Sequence, residues 1–69
     1  MSVEKSIDLT GTAPTIEQAV AEALDRAGQT LDGITGFTVE QISGLLENGV
    51  ISYRVCVRVS FVLFERFHE

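Results

Sequence analysis

The sequence predicts an α+β domain in which one helix packs on a three-stranded antiparallel sheet, with the elements in the order β-α-β-β. Three observations support this prediction. Residues 51–64 alternate between apolar and polar side chains, residues 16–31 repeat apolar side chains at helical spacing, and Asn48-Gly49 is a strong signal for a two-residue hairpin turn. The 69 residues leave room for a single domain over residues 1–69.

The first half of the chain predicts a strand followed by a helix. Residues 3–10 alternate in polarity and therefore form the first predicted strand. Thr15, followed three residues later by Gln18, has the pattern of a capping box, so the helix is predicted to begin there. Its apolar stripe continues to Leu31, and Gly33 supplies the expected stop signal.

The second half predicts a hairpin. Phe37 and Val39 begin the second strand, and the break in phase around Gly44 predicts a bulge there. The Asn48-Gly49 turn then leads into the third strand. If all neighbouring strands are antiparallel, the third strand lies in the middle and the sheet order is 1-3-2.

The predicted helix is too short to cover the third strand. A helix of roughly 17 residues is about 25 Å long, whereas a strand of this length reaches about 45 Å. The uncovered apolar surface is expected near the end of the third strand, at Phe61, Leu63 and Phe64, together with the opposite face of the sheet.

Composition points to self-association. Hydrophobic residues make up 45% of the chain, and the mean hydropathy is +0.23. Chains of this size rarely stabilise themselves without disulfides, a metal or partner subunits, and the single Cys56 cannot form an internal disulfide. Partner subunits are therefore the expected source of the missing stability.

Charge and the absence of targeting signals exclude several classes of partner. The net charge of -5 disfavours nucleic acid, whose phosphates require a basic surface. The first residues lack the pattern of a signal peptide, and no apolar run approaches the length of a membrane span. We expect a cytoplasmic protein with no membrane partner.

A series of short motifs runs along nearly the whole chain: Gly11-Thr12 with Pro14, Asp25-Arg26-Ala27, Thr30-Leu31, Phe37 with Val39, Ile42 with Gly44, Asn48-Gly49, and Tyr53-Arg54-Val55 to Val59-Ser60-Phe61. In order and spacing these motifs resemble the dodecins, very small proteins that assemble as hollow twelve-subunit spheres and bind flavin. The resemblance implies the strand-helix-strand-strand subunit, a homododecamer and a small-molecule ligand.

Four positions correspond to flavin contacts of that family. By this resemblance, flavin-binding dodecins have a Trp stacked on the flavin ring at the position of Gly36. They have a Gln hydrogen-bonded to the ring edge at the position of Arg54. The resemblance also implies arginines at the positions of Ser43 and Val62. All four are replaced here. Phe37 does not replace the Trp, because neighbouring strand residues point to opposite faces.

We therefore expect a dodecin-like homododecamer with a small-ligand binding or storage role that lacks the usual flavin stacking site. Two alternatives stay open. One is storage of riboflavin or FMN in a rebuilt pocket, and the other is a calcium-binding assembly, which the resemblance implies for relatives without the Trp. Calcium needs several oxygen ligands, and the sequence has no calcium loop, so symmetry copies would have to supply the carboxylates.

Two interpretations apply to Arg54 and Arg58, which share the polar side of the third strand. They form either an anion pocket for a phosphate-bearing ligand or ion pairs with acids of neighbouring subunits, and the ion pairs are favoured. The candidate acids are Glu4, Asp8 and Glu40.

No enzymatic activity is expected. The sequence has no nucleophile motif and no glycine-rich phosphate loop. The single cysteine, Cys56, is interpreted as a buried small residue, and the single histidine, His68, is not expected to bind a ligand.

Overall fold

The elements follow in the order β1 (Ser2–Ala13), α1 (Ile16–Gly28), β2 (Ile34–Glu47) and β3 (Val50–Phe64) in a computed structural model that describes residues 2–29 and 33–64. The sheet has three strands in the order β1-β3-β2, and both pairs are antiparallel. The predicted fold class and strand order are therefore confirmed. Within the described ranges, no helix is long and apolar enough to cross a membrane.

The helix begins where predicted and ends earlier. Thr15 is its N-cap, and the Thr15 hydroxyl accepts a hydrogen bond from the Gln18 backbone N–H at 3.1 Å. The helix has 13 residues and ends at Gly28, with Gln29 as the C-cap. The prediction that it continues to residue 31 is wrong as to length, because Gly28 has low helix propensity and the Gln29 N–H closes the last turn. Leu31 itself lies outside the described residues.

The outer strands are longer than the sequence predicts. β1 continues to Ala13 instead of stopping at residue 10, and β2 begins at Ile34 instead of residue 37. Both outer strands pair with the long β3. Their backbone hydrogen bonds to β3 continue past the residues of β1 and β2 whose polarity alternates. Gly33 lies just before β2, and its carbonyl accepts a hydrogen bond from the Val62 N–H at 3.1 Å.

The predicted bulge exists at a different residue. Gly44 lies in regular pairing, and the shift in register falls between Val39 and Gln41, which leaves Glu40 as the extra residue. Because of this extra residue, Val39 and Ile42 lie on the same side of the sheet, although strict alternation would place residues at this spacing on opposite sides. A second shift lies near the start of β2.

The hairpin turn is confirmed. Asn48 has a φ of 51° and Gly49 a φ of 77°. Positive φ at both central positions is the requirement of a type I′ turn, and Asn-Gly meets it with little strain. The turn joins Glu47 to Val50, which are register partners.

The core lies between the helix and one face of the sheet, which we call the helix face. Three alanines of the helix are no more than 2% exposed and pack on three fully buried valines of β3: Ala19, Ala23, Ala27, Val55, Val57 and Val59. The helix passes so close to β1 that a Cβ at Gly11 would overlap the Ala19 carbonyl oxygen. Small side chains on both elements therefore set the distance between helix and sheet.

The most exposed large apolar side chains of the described residues lie at the hairpin end. Phe61 is only 6% exposed, so the expectation that it lies in water is wrong. The helix starts directly after β1, whose last residue pairs with Tyr53, and runs toward Phe61. It therefore does not cover the hairpin at the other end of the sheet. Leu46 is 71% exposed, Val50 66% and Ile51 58%. The side chains of residues 63 and 64 lie outside the described part.

Candidate functional site on the open sheet face

The sheet side opposite the helix, which we call the open face, contains all four positions predicted from the family resemblance. Ser43 is the register partner of Arg54, both on the open face. Gly36 pairs with Ser60, and Val62 lies two residues further along β3 on the same side. The structure thus places the four predicted residues on one surface.

These four residues form two separate groups within one subunit. Ser43 and Arg54 are directly opposite each other, whereas Gly36 and Val62 lie at the other end of the sheet. The partner of Gly36 is six residues from Arg54 along β3, a distance of about 20 Å at about 3.3 Å per residue. A single aromatic ring does not span this distance, so a ligand in contact with both groups has to be extended or lie between subunits.

A depression of about 280 Å³ lies on the open face around Arg54. Its lining consists of one cation and four neutral side chains that can form hydrogen bonds: Thr10, Gln41, Ser43, Arg54 and Cys56. Neither Thr10 nor Gln41 was predicted from the sequence to be part of a site. Gln41 reaches the open face only because the register shifts at Glu40, and no sequence signal placed the shift there.

Arg58 is bound within its own subunit. Its Nε donates to Asp8 Oδ1 at 3.0 Å and its Nη2 to Asp8 Oδ2 at 3.4 Å, while Nη1 lies 3.9 Å from Glu40 Oε1. The ion-pair interpretation is confirmed for Arg58, with the correction that both partners belong to the same chain. Asp8 is the direct register partner of Arg58 on β1, and the bulge brings in Glu40 from β2.

This pairing changes the ionisation of both groups. The hydrogen bond from Arg58, supported by charge attraction, lowers the pKa of Asp8 against a smaller opposing effect of desolvation. The same hydrogen bond and the two neighbouring carboxylates raise the pKa of Arg58. The Arg58 charge is therefore already neutralised locally.

Arg54 is in a different state. Among the residues that the structure describes, no carboxylate oxygen lies within 4.0 Å of its guanidinium. Its neighbours in the depression are hydroxyl, amide and thiol groups. The two arginines share a strand and a face, but only Arg54 keeps an unneutralised charge.

Gly36 leaves open space on the same face. No heavy atom lies within 4 Å of the place where its Cβ would be, and its φ is not positive. A larger side chain therefore fits at this position without strain. Phe37 lies on the helix face as the partner of Val59, as the alternation predicts.

The remaining candidates are a metal site, Cys56 and His68. In residues 2–29 and 33–64, no three His, Cys, Asp or Glu side chains are grouped so that they could hold a metal ion. Cys56, predicted to be a buried small residue, is only half-buried and lines the depression. Its side chain alternates onto the open face, where the helix does not cover it. His68 lies outside the described residues.

Comparison with known proteins identifies the family. The sequence model described as Dodecin matches residues 3–64. The chain belongs to the dodecin family. It is 46% identical over 63 residues to the calcium dodecin of Mycobacterium tuberculosis, covering 88% of this chain and 89% of that protein. It is 40% identical over 65 residues to the dodecin of Thermus thermophilus, with coverage of 91% and 94%.

Solved dodecin structures share the fold of this dodecin chain. The dodecin from Streptomyces davaonensis has a TM-score of 0.86 at 33% identity, covering 93% of this chain and 97% of that one. The crystal structure of the M. tuberculosis calcium dodecin, described as having a novel calcium-binding site, has a TM-score of 0.78 at 41% identity, with coverage of 86% and 87%. The β-α-β-β topology with strand order 1-3-2 is thus the dodecin fold.

Proposed function

We propose that this dodecin forms a homododecamer that binds or stores a small ligand, catalyses no reaction and lacks the usual flavin stacking site. The observation that supports the loss of flavin stacking is the empty space above Gly36. The family resemblance places an indole there, and among residues 33–62 no aromatic side chain lies on the open face to replace it.

The expected loss of flavin affinity follows from two substitutions. Stacking on an aromatic side chain contributes about 1 to 3 kcal/mol per ring, by analogy with nucleobases. Gly36 removes this contact entirely. Arg54 only donates hydrogen bonds, whereas a Gln both donates and accepts, so the recognition of the ring edge changes as well.

Flavin titration tests the proposal through a gain of function. We expect riboflavin and FMN to bind the natural protein weakly, and the double variant Gly36→Trp with Arg54→Gln to bind them at least ten times more tightly. A Cβ at Gly36 meets no heavy atom within 4 Å, so the added side chain starts in open space. Quenching of flavin fluorescence measures both affinities.

A matched control separates stacking at this site from a general effect of an added indole. Thr38→Trp places the same side chain on the same face, as the partner of Arg58. It should leave flavin affinity unchanged. Tight quenching by the natural protein at sub-micromolar concentration, or a yellow purified protein, would instead favour flavin storage in a rebuilt pocket.

Calcium binding is a second candidate, supported by the 46% identity to a protein named calcium dodecin. Since the described residues of one subunit contain no group of metal-binding side chains, the carboxylates would have to come from several copies. Calcium should then raise the thermal midpoint of the assembly, because a ligand bound only to the native state stabilises it. An unchanged midpoint with calcium and with a chelator contradicts this candidate.

A further inference from the structure

The difference between Arg54 and Arg58 indicates what the depression binds. Arg58 contacts Asp8 at 3.0 Å and lies 3.9 Å from Glu40, so its charge is satisfied within the subunit. Arg54, four residues earlier on the same face, has no such partner among the described residues. One of the two cations is therefore available to a ligand.

The lining of the depression suits an anion better than a cation or an apolar ring. It contains no carboxylate and its one charged side chain is a cation, which disfavours a metal ion. The guanidinium presents a planar set of donors that matches the two oxygens of a carboxylate or phosphate. The hydroxyls of Thr10 and Ser43 and the amide of Gln41 can add neutral hydrogen bonds from β1 and β2.

We propose that this depression binds a small oxyanion, a phosphate or carboxylate group of a small molecule, with Arg54 as the charged anchor. The inference rests on the proposed function, since it names the ligand class of the binding role assigned to the assembly. The three strands each contribute to the site: Thr10 from β1, Gln41 and Ser43 from β2, and Arg54 from β3.

Titration calorimetry of the assembled protein at low salt tests this proposal with phenyl phosphate, benzoate and phenol. We expect saturable binding of the phosphate, the carboxylate or both, and none of phenol, which carries the same ring without the charge. The ratio of the two anion affinities shows which oxyanion the site prefers. Binding should weaken as salt rises, because an exposed charge is screened over about 10 Å at 0.1 M salt.

Variants locate the site. Arg54→Gln should weaken anion binding at least tenfold. Arg26→Gln makes the same change in net charge on the last turn of the helix, away from the open face, and should leave the affinity within about twofold of the original. Ser43→Glu retains Arg54 and places a carboxylate directly opposite it, so it should abolish binding by satisfying the guanidinium internally. Light scattering confirms that each variant keeps its assembly mass.

Three results would overturn the inference: no saturable binding of either anion to the natural protein, unchanged affinity in both Arg54→Gln and Ser43→Glu, or an equal loss in Arg26→Gln. The last result would mean that only net charge matters. If the anion titrations fail but the protein binds flavin weakly and has a dodecameric mass, only the oxyanion proposal is overturned and the proposed function stands. Tight flavin binding by the natural protein overturns the proposed function whatever the anions do.

Discussion

At the scale of single residues, the open face is organised by which charges are paired. Asp8 and Arg58 are 52% and 49% exposed, and ion pairs as accessible as this contribute little to stability in water. Their more important effect is to neutralise Arg58 beside the depression. Arg54 and Arg58 differ through their strand partners, since Ser43 faces Arg54 and Asp8 faces Arg58.

The Asp8 and Arg58 pair predicts a pH dependence of stability. Because the folded-state pKa of Asp8 is lowered, its contribution is complete above the unfolded pKa of about 3.9 and is lost as pH falls through the lower folded value. We expect Asp8→Asn to be less stable than the natural protein at neutral pH. The difference should shrink steadily as the pH is lowered below about 4.

Urea unfolding from neutral to acid pH, at one subunit concentration, measures this difference. Asp25→Asn is the control, because Asp25 lies on the helix and has no ion pair within the described part of the chain. Its stability should follow that of the natural protein in parallel. A gap between Asp8→Asn and the natural protein that stays constant down to pH 2 would contradict the assignment.

At the scale of elements, the packing of α1 on β1 depends on Gly11, which has no side chain to separate the strand from the helix. A Cβ at Gly11 would overlap the Ala19 carbonyl oxygen and lie 3.1 Å from the Ala23 backbone nitrogen. The Thr12 N–H also donates to Glu22 Oε1 at 3.1 Å, which ties the end of the strand to the helix. The helix backbone therefore cannot move away from β1 without losing contacts.

Gly11→Ala should destabilise the protein by about 1 to 3 kcal/mol, the usual cost of forcing extra volume into a packed contact. Gly28→Ala is the matched control. No heavy atom lies within 4 Å of a Cβ at Gly28, and alanine is the better helix former by about 1 kcal/mol. Thermal unfolding at a fixed concentration compares the two, and equal stability of both variants would show that the close approach is absent in solution.

At the scale of the whole molecule, the single subunit is too extended to be self-sufficient. Its radius of gyration is 15.1 Å, with extents of 62 × 19 × 13 Å, whereas a compact chain of this length has a radius of gyration of about 11 Å. Leu46, Val50 and Ile51 remain exposed at the hairpin end. This shape supports assembly, because sister subunits can cover the surface that the helix does not reach.

Light scattering tests the assembly. We expect a mass close to twelve times the 7.5 kDa chain, and a smaller or concentration-dependent mass for Leu46→Lys, which places a charge on the most exposed apolar side chain of the hairpin. Gln29→Lys, at the polar C-cap of the helix, should keep the full mass. A natural protein that stays a 7.5 kDa monomer would contradict the assembly.

Much of the fold and part of the site were predictable. The long alternation predicted β3, and the Thr15 and Asn48-Gly49 signals predicted a helix start and a turn that the structure confirms. These features depend on residues close together in the chain. The grouping of the four family positions on one face was not predictable from alternation, because Gly36 and Ser43 share a side only through the register shift at Glu40.

The sequence by itself determined the element types and the apolar and polar sides of β3, because each follows from local periodicity and turn geometry. The strand order followed once antiparallel pairing of all neighbours was assumed. Only the tertiary structure decided the bulge at Glu40, the end of the sheet left uncovered, and the pairing of Arg58 with an Asp8 that lies 50 positions away. Strand register sets the bulge and the ion pair, and the direction in which the helix leaves β1 sets which end of the sheet it covers. Both result from packing among distant segments, which no local pattern records.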